Sequence, residues 1–288
     1  MVKNTQVVVI GASGFVAKNL RKYLSNKNIK LVSISRRNFK KFKNEIKIIT
    51  KNYDETNIIP KLKNSDVLIN LVGTGKQTVD NDYNFINYEF TKKIINLCKK
   101  SKIKKIIYLS GLGVSKNSTL GYFISKYKSE KQIIDSNLDY VIFRPSYIVG
   151  KNDYLTKHLK KQIKAGQINI PGSGNYSIQP IYIDDVSQII FKVIIQSKSK
   201  LILDLVGSES ITFKNYVKEF SRLTNTKIKK INLESVYYDA ITNPQSSFGV
   251  DDLNILIGDF KGNHKKLKNI FKIKFSSVRK ILKSGRLL

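Results

Sequence analysis

Tyr122 and Lys126 are the residues of this 288-residue chain whose types and spacing best suit acid/base chemistry. They lie four positions apart in the run Tyr-Phe-Ile-Ser-Lys, so on a helix both side chains point to one face. A nearby ammonium lowers the pKa of a phenol, which leaves the tyrosine able to take up and release protons. With 15 tyrosines and 45 lysines such a pair also arises by chance, so its weight depends on its position in the fold.

A second chemical feature is a glycine loop near the N-terminus. Residues 11–17, Gly-Ala-Ser-Gly-Phe-Val-Ala, follow an apolar run with the spacing G-x-x-G-x-x-A. Gly11 allows a sharp turn, Gly14 lets backbone approach a pyrophosphate, and Ala17 permits close helix packing. The helix N-terminus that follows offers free N–H groups to phosphates. At the end of the first strand of an alternating series, this loop predicts a dinucleotide site.

The end of the second predicted strand distinguishes between dinucleotides. An acidic residue there binds the 2′-hydroxyl of NAD, whereas this chain has Arg36 and Arg37. A guanidinium pairs with a 2′-phosphate, which a carboxylate repels. Only seven arginines exist in the chain, and two of them lie here. The sequence therefore favours NADP(H) over NAD(H), with a chance placement of two arginines as the alternative.

Short apolar runs alternate with helical patterns and predict the elements that position these residues. We predict strands at residues 7–10, 30–34, 46–49, 66–71, 105–110 and 140–143, and helices over 15–25, 85–100 and 122–136. This alternation is typical of a parallel sheet covered on both faces. We expect an α/β fold with a Rossmann-type doubly wound parallel sheet in residues 1–150. A small α/β C-terminal lobe, residues 151–288, is expected to be interleaved with it.

Several motifs, in this order, resemble the short-chain dehydrogenase/reductase superfamily in its extended or atypical branch. The glycine-loop opening, Ser110 at the end of the fifth strand and the Tyr-x-x-x-Lys helix carry the resemblance. Three further motifs match, namely Asn87 with Thr91, residues 143–150 and residues 179–186. The resemblance spans residues 6–225 and implies a bound nicotinamide dinucleotide.

The resemblance also implies which residues take part. The implied cofactor-binding residues are Gly11, Ser13, Gly14, Phe15, Val16, Arg36, Arg37, Asp54, Leu71, Gly73, Tyr122, Lys126 and Pro145. Arg36 would contact the 2′-phosphate, and Asp54 would lie near adenine, because Asn52 replaces the aspartate of the family pattern. The implied catalytic residues are Tyr122, Lys126 and Ser110, and no metal site is implied.

Residues 110–114, Ser-Gly-Leu-Gly-Val, are similar to one atypical group within the superfamily. That group contains the NAD(P)H-binding accessory subunit of respiratory complex I and its bacterial relatives. Residues 248–253 and 257–259 resemble the same group. Nucleotide-sugar epimerases instead place a serine or threonine at the position of Gly111, where it works with the tyrosine. Ser110 substitutes for it only if its side chain faces the same side of the strand.

The charge of +31, from 52 basic and 21 acidic residues, has two interpretations. Lysine outnumbers arginine 45 to 7 and is spread throughout, which indicates biased composition and no nucleic-acid site. The exception is a basic tail, residues 261–288, with ten basic and no acidic residues. This tail suits docking to respiratory complex I subunits or an anionic membrane surface, with a solvated lysine-rich helix as the alternative.

Cysteine, histidine and hydropathy limit the other classes. A single cysteine, Cys98, rules out a disulfide framework, and with only His158 and His264 it cannot form a Cys/His zinc site. The apolar run at residues 7–10 is too short for a signal peptide or a transmembrane segment. We expect a cytoplasmic or matrix-type compartment, peripheral to the inner membrane if the basic tail docks there.

Two functions follow from these observations. The first is an accessory subunit associated with complex I that holds NADP(H) structurally, because a bound nucleotide stabilises a fold without any turnover. The second is a free NAD(P)-dependent reductase or nucleotide-sugar epimerase/dehydratase that uses Tyr122 as acid/base. Only Arg144 and Arg222 lie between residues 140 and 250, which disfavours gripping a sugar diphosphate.

Overall fold

Seven parallel strands form the central sheet in the computed structural model, which describes residues 5–53, 55–75, 77, 82–243, 245–246 and 248–288. The strands of the described residues, inside and outside this sheet, are β1 (Gln6–Ile10), β2 (Lys30–Ser35), β3 (Glu45–Ile49), β4 (Val67–Asn70), β5 (Lys105–Leu109), β6 (Asp139–Pro145), β7 (Ile148–Val149), β8 (Gln167–Pro171), β9 (Ser177–Ile178), β10 (Ile181–Tyr182), β11 (Leu201–Leu205), β12 (Ile211–Thr212) and β13 (Lys227–Ile231). The sheet order is β11-β6-β5-β4-β1-β2-β3, which confirms the predicted doubly wound α/β fold. The winding direction reverses beside β1, where such sheets bind ligands.

The helices of the described residues include the three that the sequence predicts. They are α1 (Phe15–Ser25), α2 (Glu55–Leu62), α3 (Phe90–Lys100), α4 (Gly121–Ile134), α5 (Tyr154–Lys164), α6 (Ile183–Ile195), α7 (Phe213–Thr224), α8 (Leu233–Thr242), α9 (Val250–Ile257), α10 (His264–Phe271) and α11 (Val278–Lys283). Helix α1 has the predicted bounds. Helix α2 was not predicted, and the helix predicted over residues 85–100 begins with a π-helical segment, Asn84–Glu89.

The sheet is covered on both faces because its strands are apolar on both sides. Val7 and Val9 of β1 face a core that includes Leu20 of α1 and Ile189 of α6. The opposite face, with Val8, packs against side chains of α2, α3 and α4. Each fully buried aliphatic side chain of this kind contributes about 1.5–3 kcal/mol relative to an exposed one.

A third core lies in the second half of the chain. Strands β8 and β13 pair in parallel, and α5, α7 and α11 pack around them through Leu159, Phe213 and Ile281. Helix α6, strand β11 and helix α10 belong instead to the central sheet and its core. Residues after 150 therefore contribute to both the central sheet and the third core.

The basic tail folds back onto the protein. Leu267 and Phe271 of α10 are buried against the central core, and Ile281 of α11 against the third core. All ten basic residues of the tail are exposed. Within the part of the chain that the structure describes, no helix combines the length and the apolar character needed to cross a membrane.

Candidate functional site

The phosphate loop, residues 11–14, is fixed by backbone hydrogen bonds to β2. The N–H groups of Gly11 and Ala12 each donate to the carbonyl of Ile34 at 3.0 Å. Gly11 has a φ of +83°, a conformation that favours glycine. Gly14 precedes α1 and supplies no side-chain cap, so the first N–H groups of the helix are available to an anion. This arrangement fits a pyrophosphate.

The ends of β1 and β4 approach each other closely at Gly11. A Cβ there would lie 3.1 Å from Cγ2 of Val72 and 3.2 Å from the carbonyl oxygen of Leu71. A Cβ at Gly73 would lie 2.9 Å from Nζ of Lys126. Leu71 and Gly73 thus line the path from the phosphate loop to the Tyr–Lys helix. Phe15 and Val16 pack against the central core beside the loop.

Ser13 connects the phosphate loop to the arginines that follow β2. Its hydroxyl lies 2.8 Å from the Ser35 hydroxyl, which also accepts from the Arg37 N–H at 3.2 Å. Arg36 therefore begins next to the phosphate loop. The side chains of both arginines are exposed.

Arg36 lines a cavity of about 310 Å³ whose wall is aromatic and basic. Its described lining residues are Arg36, Lys51, Asn52, Tyr53, Val72, Phe85, Ile86, Phe90 and Lys93. Three of these carry positive charge and none carries a carboxylate. Burial raises the pKa of Tyr53 to about 12, although Arg36 opposes the shift, so Tyr53 stays neutral at neutral pH. Apolar walls with cations suit an adenine that carries a phosphate. Asp54, the predicted adenine contact, lies outside the described residues.

Tyr122 and Lys126 lie in the first turns of α4, on the same side of the helix. Lys126 is buried, and its Nζ donates to the Leu109 carbonyl at 3.0 Å and to the Tyr108 hydroxyl at 3.2 Å. Nζ lies 5.9 Å from the centroid of the Tyr122 ring. The lysine is thus held below the tyrosine by the end of β5.

Burial sets the protonation of this pair. Desolvation raises the pKa of Tyr122 above its usual value, and Lys126 only partly offsets the shift. Desolvation likewise lowers the pKa of Lys126, which the neighbouring Tyr122 and Glu130 oppose. The lowering of the phenol pKa expected from the lysine is therefore outweighed by desolvation.

Ser110 and Gly111 occupy different surroundings. Ser110 is buried, and its hydroxyl has no hydrogen-bond partner among the described residues. Gly111 faces the phenol instead, because a Cβ there would lie 3.2 Å from the Tyr122 hydroxyl oxygen. The structure therefore brings together Tyr122, Lys126 and Gly111, whereas the Ser110 hydroxyl does not bond to the tyrosine.

Tyr122 opens into a second cavity of about 190 Å³, which is the candidate substrate chamber. Its described lining residues are Gly75, Gly111, Leu112, Tyr122, Phe123, Pro145, Ser146, Tyr147, Ser177, Ile178, Asp252, Ile255 and Phe260. This lining has one carboxylate and no basic side chain. The predicted residue Pro145 lies here, and its carbonyl accepts from the Leu112 N–H at 2.9 Å.

Helix α9 positions the tyrosine from the far end of the chain. Asp251 Oδ2 accepts from the Tyr122 N–H at 2.8 Å and so caps α4. Asp252 lines the chamber, and Phe260, just beyond α9, packs edge-on against Phe123 at 5.3 Å between centroids. The sequence predicted similarity at residues 248–253 but not this role, because 129 residues separate Asp251 from Tyr122.

The π-helical segment fixes the other side of the pair. Its buried Asn87 donates to the Ser125 hydroxyl at 3.0 Å and accepts from the Thr74 N–H at 3.2 Å. The Asn87 carbonyl accepts from the hydroxyls of Thr91, at 2.6 Å, and Ser129, at 2.9 Å. These bonds attach α4 to the loop after β4, where the cofactor would lie.

The chain belongs to the NAD dependent epimerase/dehydratase family, whose sequence model matches residues 7–202. The geometry agrees with this class of protein, since the glycine loop, the Tyr–Lys helix and the parallel sheet meet at one edge.

Individual relatives show two kinds of similarity. Subunit 9 of the NADH dehydrogenase [ubiquinone] 1 alpha subcomplex from Rattus norvegicus, a mitochondrial protein, is 26% identical over 136 residues. That match covers 47% of this chain and 36% of the relative, so the chain spans about a third of that relative's length. The Dictyostelium discoideum subunit 9 is 26% identical over 73% of this chain and 61% of its own. An ADP-L-glycero-D-manno-heptose-6-epimerase from Brachyspira hyodysenteriae is 27% identical over 64% of this chain and 70% of its own.

Solved structures support the fold. MoeE5 in complex with UDP-glucuronic acid and NAD is similar with a TM-score of 0.77 at 16% identity, over 96% of both chains. A UDP-glucose 4-epimerase from Thermotoga maritima gives 0.77 at 15% identity, over 97% of this chain and 96% of its own.

Proposed function

We propose that this chain binds NADP(H) and holds it as an accessory subunit of an assembly of the respiratory complex I type. The cavity after β2 carries the proposal, because Arg36, Lys51 and Lys93 surround its aromatic walls. The cations would pair with a 2′-phosphate, and the walls would receive adenine. The phosphate loop would hold the pyrophosphate, and Tyr122 and Lys126 the nicotinamide ribose.

Nucleotide binding is tested by replacing Arg36. Arg36→Ala should weaken NADPH binding about tenfold or more, because a charge-assisted contact to phosphate is lost. NADH affinity should change little. Arg222→Ala is the matched control, since Arg222 is exposed and pairs with Glu219 at 3.1 Å on α7. Equal losses for NADPH and NADH would contradict a 2′-phosphate contact at Arg36.

A structural rather than catalytic nucleotide is supported at Gly111. Position 111 faces the Tyr122 hydroxyl and, as glycine, supplies no side chain that could share a proton with the phenol. Burial also keeps Tyr122 protonated. With bound NADPH, Tyr122→Phe should keep the nucleotide and remove no activity. Loss of a measurable carbonyl-reducing rate in that variant would contradict the proposal.

The second candidate is a free NAD(P)-dependent reductase or epimerase, and the retained Tyr122–Lys126 geometry favours it. In that case the nucleotide would supply hydride chemistry and Tyr122 the proton. The chamber argues against nucleotide sugars, because its described lining offers Asp252 and no cation for a diphosphate. UDP-glucose should therefore neither bind the NADPH-loaded protein detectably nor be epimerised.

The exposed lysines of the basic tail support docking to an acidic partner subunit. Among the residues that the structure describes, salt bridges neutralise two of its ten basic residues, Lys261 by Asp259 at 3.2 Å and Arg279 by Glu209 at 3.0 Å. Lys265, Lys266 and Lys268 of α10 are exposed. Changing these three to Gln should release the chain from its native membrane-associated assembly, as should raised salt. The control changes Lys157, Lys161 and Lys164 of α5 to Gln, and release by both sets alike would contradict docking through the tail.

A further inference from the structure

Arg21 and Glu45 form a buried ion pair below the phosphate loop. Nε of Arg21 lies 2.5 Å from Oε1 of Glu45, and its Nη2 lies 2.8 Å from Oε2. The side chains are 1% and 0% exposed. A buried pair adds little net stability over apolar residues, but it fixes geometry through its hydrogen bonds. Its partners therefore show what it positions.

The guanidinium also connects two separate loops. Nη1 donates to the carbonyl of Ala12, in the phosphate loop, at 2.7 Å. Nη2 donates to the carbonyl of Lys40 at 2.7 Å. Lys40 lies in the segment between β2 and β3, residues 36–44, which contains no helix or strand and starts with the two arginines of the proposed site.

Aromatic side chains of the same segment close over the pair. The guanidinium carbon of Arg21 lies 4.4 Å from the centroid of Phe39 and 5.1 Å from that of Phe42. The Phe42 N–H donates to Oε2 of Glu45 at 2.7 Å. The ion pair thus links segment 36–44 to the phosphate loop at Ala12. The segment's other contacts, from Arg37 to Ser35 and from Asn38 and Phe39 to Lys47, tie it to β2 and β3.

We propose that the Arg21–Glu45 pair determines cofactor specificity by positioning Arg36 for a 2′-phosphate. Arg21 is a positioning residue, because its donors are taken by Glu45, Ala12 and Lys40. The inference rests on the proposed NADP(H) binding. Without the pair, segment 36–44 loses the link that joins Lys40 to the phosphate loop at Ala12, and Arg36 has to be ordered at each binding event.

The test is the double variant Arg21→Leu/Glu45→Leu, which removes both charges and leaves neither buried alone. Dissociation constants for NADPH and NADH are measured by nucleotide fluorescence on the full chain. NADPH affinity should fall about tenfold, as expected for a disordered phosphate contact, with NADH within about twofold. Lys100→Leu/Glu55→Leu is the control, since that pair is exposed and joins α3 to α2. Its affinities for both nucleotides should equal those of the wild type.

A mutant cycle separates positioning from folding. In the Arg21→Leu/Glu45→Leu background, Arg36→Ala should have less than about a third of its wild-type effect on NADPH binding, because the two sites act together. A full, independent effect of Arg36→Ala, or equal losses for NADPH and NADH, would overturn the inference. If the double variant does not fold, Phe39→Ala carries the test, with the same selective loss expected. Absence of any Arg36→Ala effect in the wild type would instead refute the proposed cofactor.

Discussion

Replacement of Gly11 by alanine tests the close approach of β1 and β4 at the phosphate loop. Gly11 has a φ of +83°, and an added Cβ would meet Val72 at 3.1 Å and the Leu71 backbone at 3.2 Å. Gly166, between α5 and β8, offers a matched control. Its φ is +82°, and a Cβ there would have nothing within 4 Å. The two substitutions therefore share the backbone conformation and differ in contact.

The expected magnitudes follow from that difference. An L-residue in this conformation costs about 1–2 kcal/mol, so Gly166→Ala should lower the free energy of unfolding by that amount. Overpacking against fixed backbone adds about 1–3 kcal/mol at Gly11. Gly11→Ala should thus cost about 2–5 kcal/mol in total. The gain from a less flexible unfolded chain is the same for both variants and cancels in the comparison.

Urea unfolding followed by circular dichroism measures both free energies, with an unchanged slope as the check that the unfolded states match. Nucleotide binding supplies the second readout. Gly11→Ala should also weaken binding of NADPH and NADH together, because the loop shifts relative to the pyrophosphate, whereas Gly166→Ala should leave both unchanged. Equal costs for the two variants, or wild-type nucleotide affinity in Gly11→Ala, would refute the close-approach explanation.

Three further predictions concern pH, helix capping and the phenol. Burial alone would raise the pKa of Glu45, but hydrogen bonds from Arg21 and the Phe42 N–H lower it overall. The stability that ionised Glu45 contributes should therefore be fully present above the unfolded pKa of about 4.3. It should be lost as the pH falls through the lower pKa of Glu45 in the folded protein. Urea unfolding at a series of acid pH values should show that the free energy of unfolding depends less on pH in Arg21→Leu/Glu45→Leu than in the wild type. An unchanged pH dependence would contradict Glu45 as its source. Asp251→Ala should lower the free energy of unfolding by about 1 kcal/mol, because it removes the cap at Tyr122. Asp251→Asn should be closer to the wild type, and equal stability of Asp251→Ala and the wild type would show that the cap contributes nothing. Gly111→Ser should cost about 1–3 kcal/mol, since its Cβ would lie 3.0 Å from Cε1 of Tyr122, and a rise in stability would mean that the ring moves freely.

The central sheet could be predicted because its signals are local. The run at residues 7–10 is apolar on both faces, which is typical of a strand covered on both sides. The bounds of α1 were predicted because Gly14 ends the loop and apolar spacing begins at Phe15. Residue types at strand ends were equally informative about the site. The alternation of strands and helices predicts a parallel sheet, and Gly11 and Arg36 follow two of its strands at the same edge.

The remaining features depend on contacts between distant residues. Helix α2 escaped prediction because Pro60 lies inside it, where a proline usually ends a helix. Arg21 gave no signal, because a basic residue on an amphipathic helix normally indicates a solvated face. Its burial depends on Glu45, 24 positions away. Asp251 likewise could not be predicted as a cap, because only the tertiary structure places α9 next to α4.

The separation between the two cavities would allow the proposed function, nucleotide binding without turnover. Arg36, Lys51 and Lys93 are the residues that would select the dinucleotide. They lie in a cavity that, among the described residues, shares no lining residue with the chamber at Tyr122. Gly111 lines only the chamber, so in the proposed function it would omit a proton-sharing group without weakening the contacts to the nucleotide phosphates. Lys126 is bonded to the end of β5, a position from which it would contact the nicotinamide ribose. Under the proposed function, the Tyr-x-x-x-Lys helix would therefore contribute to the nucleotide site, and the residue facing the phenol would decide whether that site has the groups for chemistry.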